Sequence, residues 1–347
     1  MLLPASHQAH PAIPPGQDLA IDVRNLTKRY GSRRGITNVN LAIAPGSLYG
    51  FLGPNGAGKT TTIRCLLGLL RASSGSARVL GHDCWTQGDK VRTQVGSIPG
   101  DLRLWPWLTG MRALKLFGLI RGKPLLAKGK ELADELELDL SLPVRKMSRG
   151  NRQKLGIILA LAHTPRVLVL DEPTTALDPL MQDRLRSMLR RAADDGAAVF
   201  FSSHTLAEVE ALCERVAIVK QGAIVADSTL TLLRADAGYD LDVLWLENLA
   251  PKPPAWLPLL ATRRPASTEP QGSRWIARFR PTKDHTLADI LALLHHHKDA
   301  IADIKLAQPD LETLFRRFYE SDADDPRPVM HVTNEPQSST GDQPSPA

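Results

Sequence analysis

The sequence predicts an α/β protein in which a large doubly wound domain is followed by a small α+β unit. Three observations carry this expectation. A glycine-rich phosphate loop, GPNGAGKT at 53–60, stands between an apolar strand segment and a helical one. The run RVLVLDEP at 166–173 is continuously apolar until its acidic end, as expected of a strand buried on both faces of a parallel sheet. Around these landmarks strands and helices alternate up to about residue 230.

Taken in order, the Pro- and Ala-rich residues 1–18 are expected to be disordered. AIDVRNLTKRY, a turn at GSRRG, ITNVNLAIAPG and SLYGFLG read as strands, and after the phosphate loop TTTIRCLLGLLR reads as a helix. Short strands recur at SARVLG and VGSIP. A helical insert over about 101–160 then breaks the alternation, with apolar residues at helical spacing in LTGMRALKLFGLIRG and PLLAKGKELADELEL. After RVLVLDEP come a helix near 178–194, the strand AAVFFSSH, a helix near 205–214 and the hairpin RVAIVKQGAIVAD, closing a domain at 19–230. Residues 237–320 form the separate α+β unit. In it YDLDVLWL and RWIARFR are strands flanking a Pro-rich break at 251–265, followed by helix, strand and helix. Residues 321–347, polar and rich in Pro and Ser, are expected to be disordered.

Composition excludes little but narrows the setting. Hydrophobic residues make up 43% and charged residues 23% of 347, ordinary for a globular protein. The longest apolar stretch, 155–170, is interrupted by His163, Pro165 and Arg166, so no membrane span is expected, and the first sixteen residues lack the basic start and compact apolar core of a signal peptide. Cys65, Cys84 and Cys213 have neither pair nor metal spacing and read as reduced structural thiols, which fits a cytoplasmic chain. The net charge of +6 is mild and points to no nucleic-acid partner. The histidines at 295–297 and the arginine-rich helix 184–191 read as solvated surfaces.

The chemistry concentrates in the phosphate loop. Glycines at 53, 56 and 58 let the backbone curl until its N–H groups face the β- and γ-phosphates of a nucleotide. Lys59 adds charge there, and the Thr60 hydroxyl can ligate Mg²⁺. The binding set is Gly53, Pro54, Asn55, Gly56, Ala57, Gly58, Lys59, Thr60 and Thr61. Asp171, at the end of the buried strand, is a second Mg²⁺ ligand, and Glu172 beside it can act as general base on the attacking water. His204, ending AAVFFSSH, can reach the γ-phosphate and that water, while Tyr30 before a turn can stack on adenine. A second anion site is less expected. KMSRGNRQKLG at 146–156 looks like another helix start, with free N–H groups and a positive dipole end.

In order, GPNGAGKTT, MSRGN, LVLDEPTTALD and SSH resemble the motif series of ABC-type ATPases, a branch of the P-loop NTPases, over about residues 19–230. The resemblance implies ATP and Mg²⁺ as cofactors and two such domains, identical or paralogous, dimerised head to tail. Each ATP then lies between the phosphate loop of one domain and Ser148, Gly150 and Asn151 of the other, with Asp178 of the TALD segment crossing the same interface. Two departures stand out. The family loop Leu-Ser-Gly-Gly-Gln is here Met147-Ser148-Arg149-Gly150-Asn151, and where the family has a metal-contacting glutamine this chain has Gly100, so either Asp101 or a water is expected to take over the contact.

Within the superfamily the chain is similar to the separate ATP-binding subunits of export-type transporters, through LWPWLTGMRALKLFGLIRG and QPDLETLFRRFYE at 308–320. That likeness implies a separate integral membrane permease, docked where the helical insert meets the 95–110 loop, and a place at the cytoplasmic face of the membrane. The rivals are a soluble ABC ATPase acting on nucleic acid or ribosomes, disfavoured by the lack of sustained heptads and of a second ATPase domain, and a regulatory subunit that binds ATP without turnover.

Overall fold

The computed structural model describes residues 18–31, 33–246, 249–254, 257, 259–263, 272–279 and 285–307. The segments 1–17 and 308–347 lie outside them, and with them the expected disordered ends and the helix at 308–320. The chain separates into one unit that ends at Ser228 and another that begins at Thr229.

The first unit contains two sheets. Strands β1 (Ile21–Tyr30) and β2 (Arg33–Ile43) form an antiparallel pair. With β4 (Ser74–Val79) and the short β5 (His82–Asp83) they make a four-stranded sheet in the order β2-β1-β4-β5. The other sheet has six strands in the order β10-β9-β3-β8-β7-β6. Its members are β3 (Leu48–Leu52), β6 (Val95–Ile98), β7 (Val167–Asp171), β8 (Ala198–Ser203), β9 (Arg215–Lys220) and β10 (Ala223–Thr229), with β9, β3, β8, β7 and β6 paired in parallel. The opening strands therefore do not enter the parallel sheet. The burial patterns match this division: β1 mixes buried and open positions, whereas every residue of β7 and β8 is buried, as a strand covered on both faces requires.

Helix α1 (Lys59–Leu66) shares one core with both sheets, its Ile63, Cys65 and Leu66 meeting Val23, Leu41, Phe51, Val169 and Phe200. It stops at Leu66, five residues short of the expected end, because Gly68 turns the backbone left-handed (φ 64°) with no room for a Cβ against Cys84 O. Helix α2 (Gly88–Gln94) carries no strong sequence signal. The insert consists of α3 (Gly110–Arg121) and α4 (Leu126–Glu135), and α5 (Arg149–Leu161) follows. Helices α6 (Pro179–Asp194) and α7 (Leu206–Leu212) pack on the parallel sheet.

The arginines of α6 form a partly solvated face, Arg190 and Arg191 exposed and Arg184 and Arg186 half-buried, that also holds neighbouring elements. Arg184 donates to Glu135 O and Glu137 Oε1, each at 2.6 Å, and Arg191 reaches Glu135 Oε1 at 2.5 Å, tying α6 to the end of α4. The three cysteines are free and buried, and burial pushes the thiols of Cys65 and Cys84 up to about 11 and about 12, far from thiolate formation. No described helix is long and apolar enough to cross a membrane.

The second unit begins with α8 (Leu230–Ala237), which fills the interval between the expected domains 19–230 and 237–320. Strands β11 (Tyr239–Leu246), β12 (Leu259–Arg263), β13 (Gly272–Phe279) and β14 (Ile301–Ala307) form an antiparallel sheet ordered β12-β13-β11-β14. The Pro-rich break thus contains a strand, β12. Helix α9 (Leu287–His296), opened by a Thr286–Asp289 capping box, lays Ile290 and Leu294 on Val243, Trp245 and Trp275. His295 and His296 are exposed, but His297 is half-buried and meets Trp245 edge-on at 6.1 Å.

Candidate functional site

The chemistry-bearing residues collect at the carboxyl ends of three adjacent parallel strands, β3, β8 and β7, whose register sets Leu52 opposite Ser203 and Asp171 opposite Ser202. From the end of β3 the chain passes straight into residues 53–58 and then α1. Gly56 and Gly58 take φ of 81° and 108°, the turns that bring successive N–H groups round to one side. The loop is anchored at both ends. Gly53 N–H donates to Ser203 O (3.2 Å), and Gly222 N–H donates to Ala57 O (2.9 Å) while Gly222 O accepts from Thr37 (2.7 Å). Gly222 (φ 83°) thereby clamps the phosphate loop to β2, and a Cβ there would meet Gly35 O at 2.5 Å.

Lys59 is almost fully buried. Its ammonium donates to Gly53 O (2.6 Å) and Pro54 O (3.3 Å) and lies 3.2 Å from Glu172 Oε1. The Thr60 hydroxyl donates to Asp171 Oδ2 at 2.8 Å, and the Ser202 hydroxyl donates to Asp171 Oδ1 at 2.7 Å. A hydroxyl beside a carboxylate is a set of hard oxygen donors suited to Mg²⁺. Glu172 has φ of 50°, in the left-handed region, and its Oε2 lies 3.1 Å from Nδ1 of the half-exposed His204. The sequence-expected cluster of Lys59, Thr60, Asp171, Glu172 and His204 is therefore brought together. Tyr30, at the end of β1, is 45% exposed with the Lys28 ammonium 5.5 Å over its ring, so it is not a core residue.

The second helix start is also formed. Ser148 caps α5 by accepting from Asn151 N–H at 3.1 Å. Gly150 sits so close to the TTALD segment that a Cβ would lie 2.8 Å from Ala176 O, and Gln153 Nε2 donates to Pro173 O at 2.8 Å. Asp178 caps α6 through Met181 N–H (3.0 Å), with Pro179 at the first helical position. Among the described residues no hydrogen bond joins 148–151 to the phosphate loop of the same chain.

Asp101 is held elsewhere. Its exposed carboxylate pairs with Arg103 at 2.7 Å, and the Arg103 Nε donates to it at 2.8 Å. The neighbouring Gly100 does reach the site: a Cβ on it would stand 3.0 Å from Asp171 Oδ2. Two residues on, Leu102 seats its side chain over Gly156 of α5, where a Cβ would meet Leu102 Cδ2 at 2.5 Å. Sequence reasoning missed Ser202, Gly222 and Leu102. A polar residue ending an otherwise apolar strand was the only signal for Ser202, and a Gln-Gly hairpin turn the only one for Gly222.

Residues 36–175 match the family model described as ABC transporter. The daunorubicin resistance ATP-binding protein DrrA3 of Streptomyces coeruleorubidus is 35% identical over 66% of this chain and 75% of its own length. The bacitracin transport ATP-binding protein BcrA of Bacillus licheniformis is 36% identical over 60% and 69%. The Nod factor export ATP-binding protein I of Burkholderia orbicola is 35% identical over 68% and 78%. Among solved structures, one described as an ATP binding subunit of an ABC transporter superposes with a TM-score of 0.60 at 28% identity, covering 62% of this chain and 92% of that one.

Proposed function

This chain belongs to the ABC transporter family as an ATP-binding and ATP-hydrolysing subunit of a multi-component transporter, and from that premise we propose how its residues divide the work. The observation that carries the proposal is the convergence of Lys59, Thr60, Asp171, Glu172 and His204 on one point at the strand ends. The N–H groups of 53–61 and the Lys59 ammonium bind the β- and γ-phosphates, and Tyr30 stacks on the adenine. Thr60 and Asp171 would hold Mg²⁺, which neutralises phosphate charge as the γ-phosphoryl leaves. With Asp101 paired to Arg103, a water beside Gly100 rather than that carboxylate would supply the contact that the family's glutamine makes. Glu172 accepts the proton of the attacking water at one carboxylate oxygen. His204, whose Nδ1 lies 3.1 Å from that carboxylate, holds its orientation and presents Nε2 toward the γ-phosphate.

The missing half of the site comes from a second ATPase subunit. The Ser148 helix start, unconnected to its own phosphate loop, faces the γ-phosphate bound by the partner, alongside Gly150, Asn151 and Asp178. ATP then bridges two subunits, and hydrolysis removes the bridge. A membrane permease is the further partner, docking on the loop that carries Trp105 and Trp107, which are 47% and 64% exposed with rings 6.3 Å apart. Movement there reaches the metal site through Gly100 and α5 through Leu102. The relatives named for export and drug resistance favour outward transport from the cytoplasmic face, the permease selecting the substrate.

The test is purification of the full-length Glu172→Gln variant from its native membranes in ATP. Two ATPase subunits with a multi-span membrane protein are expected, and Trp107→Ala should release that protein. Recovery with ribosomes or nucleic acid instead would sink the transport reading.

A further inference from the structure

We propose that Ser202 is a positioning residue that sets the metal carboxylate and the general base together, an assignment that rests on the nucleotide site described above. Ser202 ends β8, is completely buried, and lies opposite Asp171 in the parallel register. Its hydroxyl donates to Asp171 Oδ1 at 2.7 Å, and the Glu172 N–H donates at 3.2 Å both to that hydroxyl and to the Ser202 carbonyl.

The proton inventory leaves one arrangement. A hydroxyl carries a single proton; an ionised carboxylate only accepts, and a backbone N–H only donates. The Ser202 proton therefore points at Asp171 and a lone pair at Glu172. Thr60 holds Asp171 Oδ2 at 2.8 Å, so hydroxyls grip both oxygens of the carboxylate and its plane cannot rotate. On the other side, the N–H of Glu172 is fixed at a residue whose φ of 50° a side-chain-bearing residue rarely adopts. That conformation sends the Glu172 side chain between Lys59 and His204. Adjacent residues with different tasks thus meet at one hydroxyl, which orients Asp171 directly and shares the Glu172 N–H with the Ser202 carbonyl. A serine whose only task was to satisfy itself inside a strand would use a local carbonyl rather than a carboxylate 31 residues away.

The experiment compares Ser202→Ala, Ser202→Cys and Ser202→Thr in the full chain. It reads fluorescent ATP binding with and without Mg²⁺, the Mg²⁺ needed for half-maximal turnover, and kcat against KM. Cysteine keeps the volume but donates weakly, while threonine keeps the hydroxyl. Metal-free ATP binding should stay within about twofold in all three, and the Mg²⁺ requirement should rise about tenfold in the Ala and Cys variants, as for other ligand-orienting partners. The loss should fall on kcat rather than KM, and Ser202→Thr should restore both readouts. An unchanged Mg²⁺ requirement in Ser202→Ala and Ser202→Cys overturns the proposal. So does a loss of metal-free binding shared by all three variants, which would mean packing alone. Lys59→Ala tests the underlying reading separately: if it binds ATP as the unmodified chain does, the nucleotide site itself is misassigned.

Discussion

Glu172 Oε2 lies 3.1 Å from His204 Nδ1, across the ends of neighbouring strands β7 and β8. Its other oxygen faces the Lys59 ammonium at 3.2 Å, so the carboxylate is held on both sides before any water arrives. Glu172→Gln preserves size and an acceptor oxygen but removes the proposed base. Turnover should fall by about 10²–10⁴-fold while ATP binding persists and an ATP-bound dimer accumulates in light scattering. Normal hydrolysis by this variant would show that the base is another group.

Lys59 tests the loop itself. Its ammonium is buried and carries the positive charge of the phosphate site, held by Gly53 O and Pro54 O. Lys59→Met should weaken ATP binding at least about tenfold, the scale of one charge-assisted hydrogen bond. Calorimetric titration checks this; unchanged affinity would contradict the site.

Gly100 predicts an unusual response to restoring a side chain. A Cβ there would press on Asp171 Oδ2 at 3.0 Å, and that oxygen is already fixed by Thr60. Gly100→Ala should lower turnover about tenfold or more through displacement of the carboxylate, and Gly100→Gln should not raise it. A faster Gly100→Gln enzyme would mean that the glutamine is missing rather than replaced.

Ser148 separates folding from assembly. Losing its cap on α5 should cost about 1 kcal/mol, a modest drop in Tm. Ser148→Ala should in addition abolish most ATP-dependent dimerisation, and the specific activity of the unmodified chain should fall on dilution. Specific activity that is flat on dilution and indifferent to Ser148 would place the whole site within one copy.

His163, buried after the end of α5, has its imidazole pushed down to about 4, first by burial and then by the Arg121 charge. The unfolded chain takes up this proton near pH 6.5 and the folded chain only near 4. Stability is therefore fully present above about 6.5 and drains away as pH falls toward 4, by on the order of 2 kcal/mol after allowance for screening. Thermal melts from pH 7.5 to 4.5 should show this slope, flattened in His163→Leu.

What the sequence determined by itself was everything encoded at short range. The loop 53–60, the capped starts at Ser148 and Asp178, and the doubly buried run ending at Asp171 are all set by spacings within a few residues, and each lies where its local pattern places it. Weak local patterns hid the rest. Strand β12 sits inside a Pro-rich stretch, α2 and α8 lack a clear apolar period, and nothing in the order of β1 and β2 announces a sheet of their own. Only the tertiary structure brought Thr60 to Asp171, 111 residues away, and gave Ser202 both acidic neighbours. Those contacts follow from strand order and register in the parallel sheet. Strands distant in sequence lie side by side there, so which side chains meet at their ends is a property of the pairing and not of any one segment.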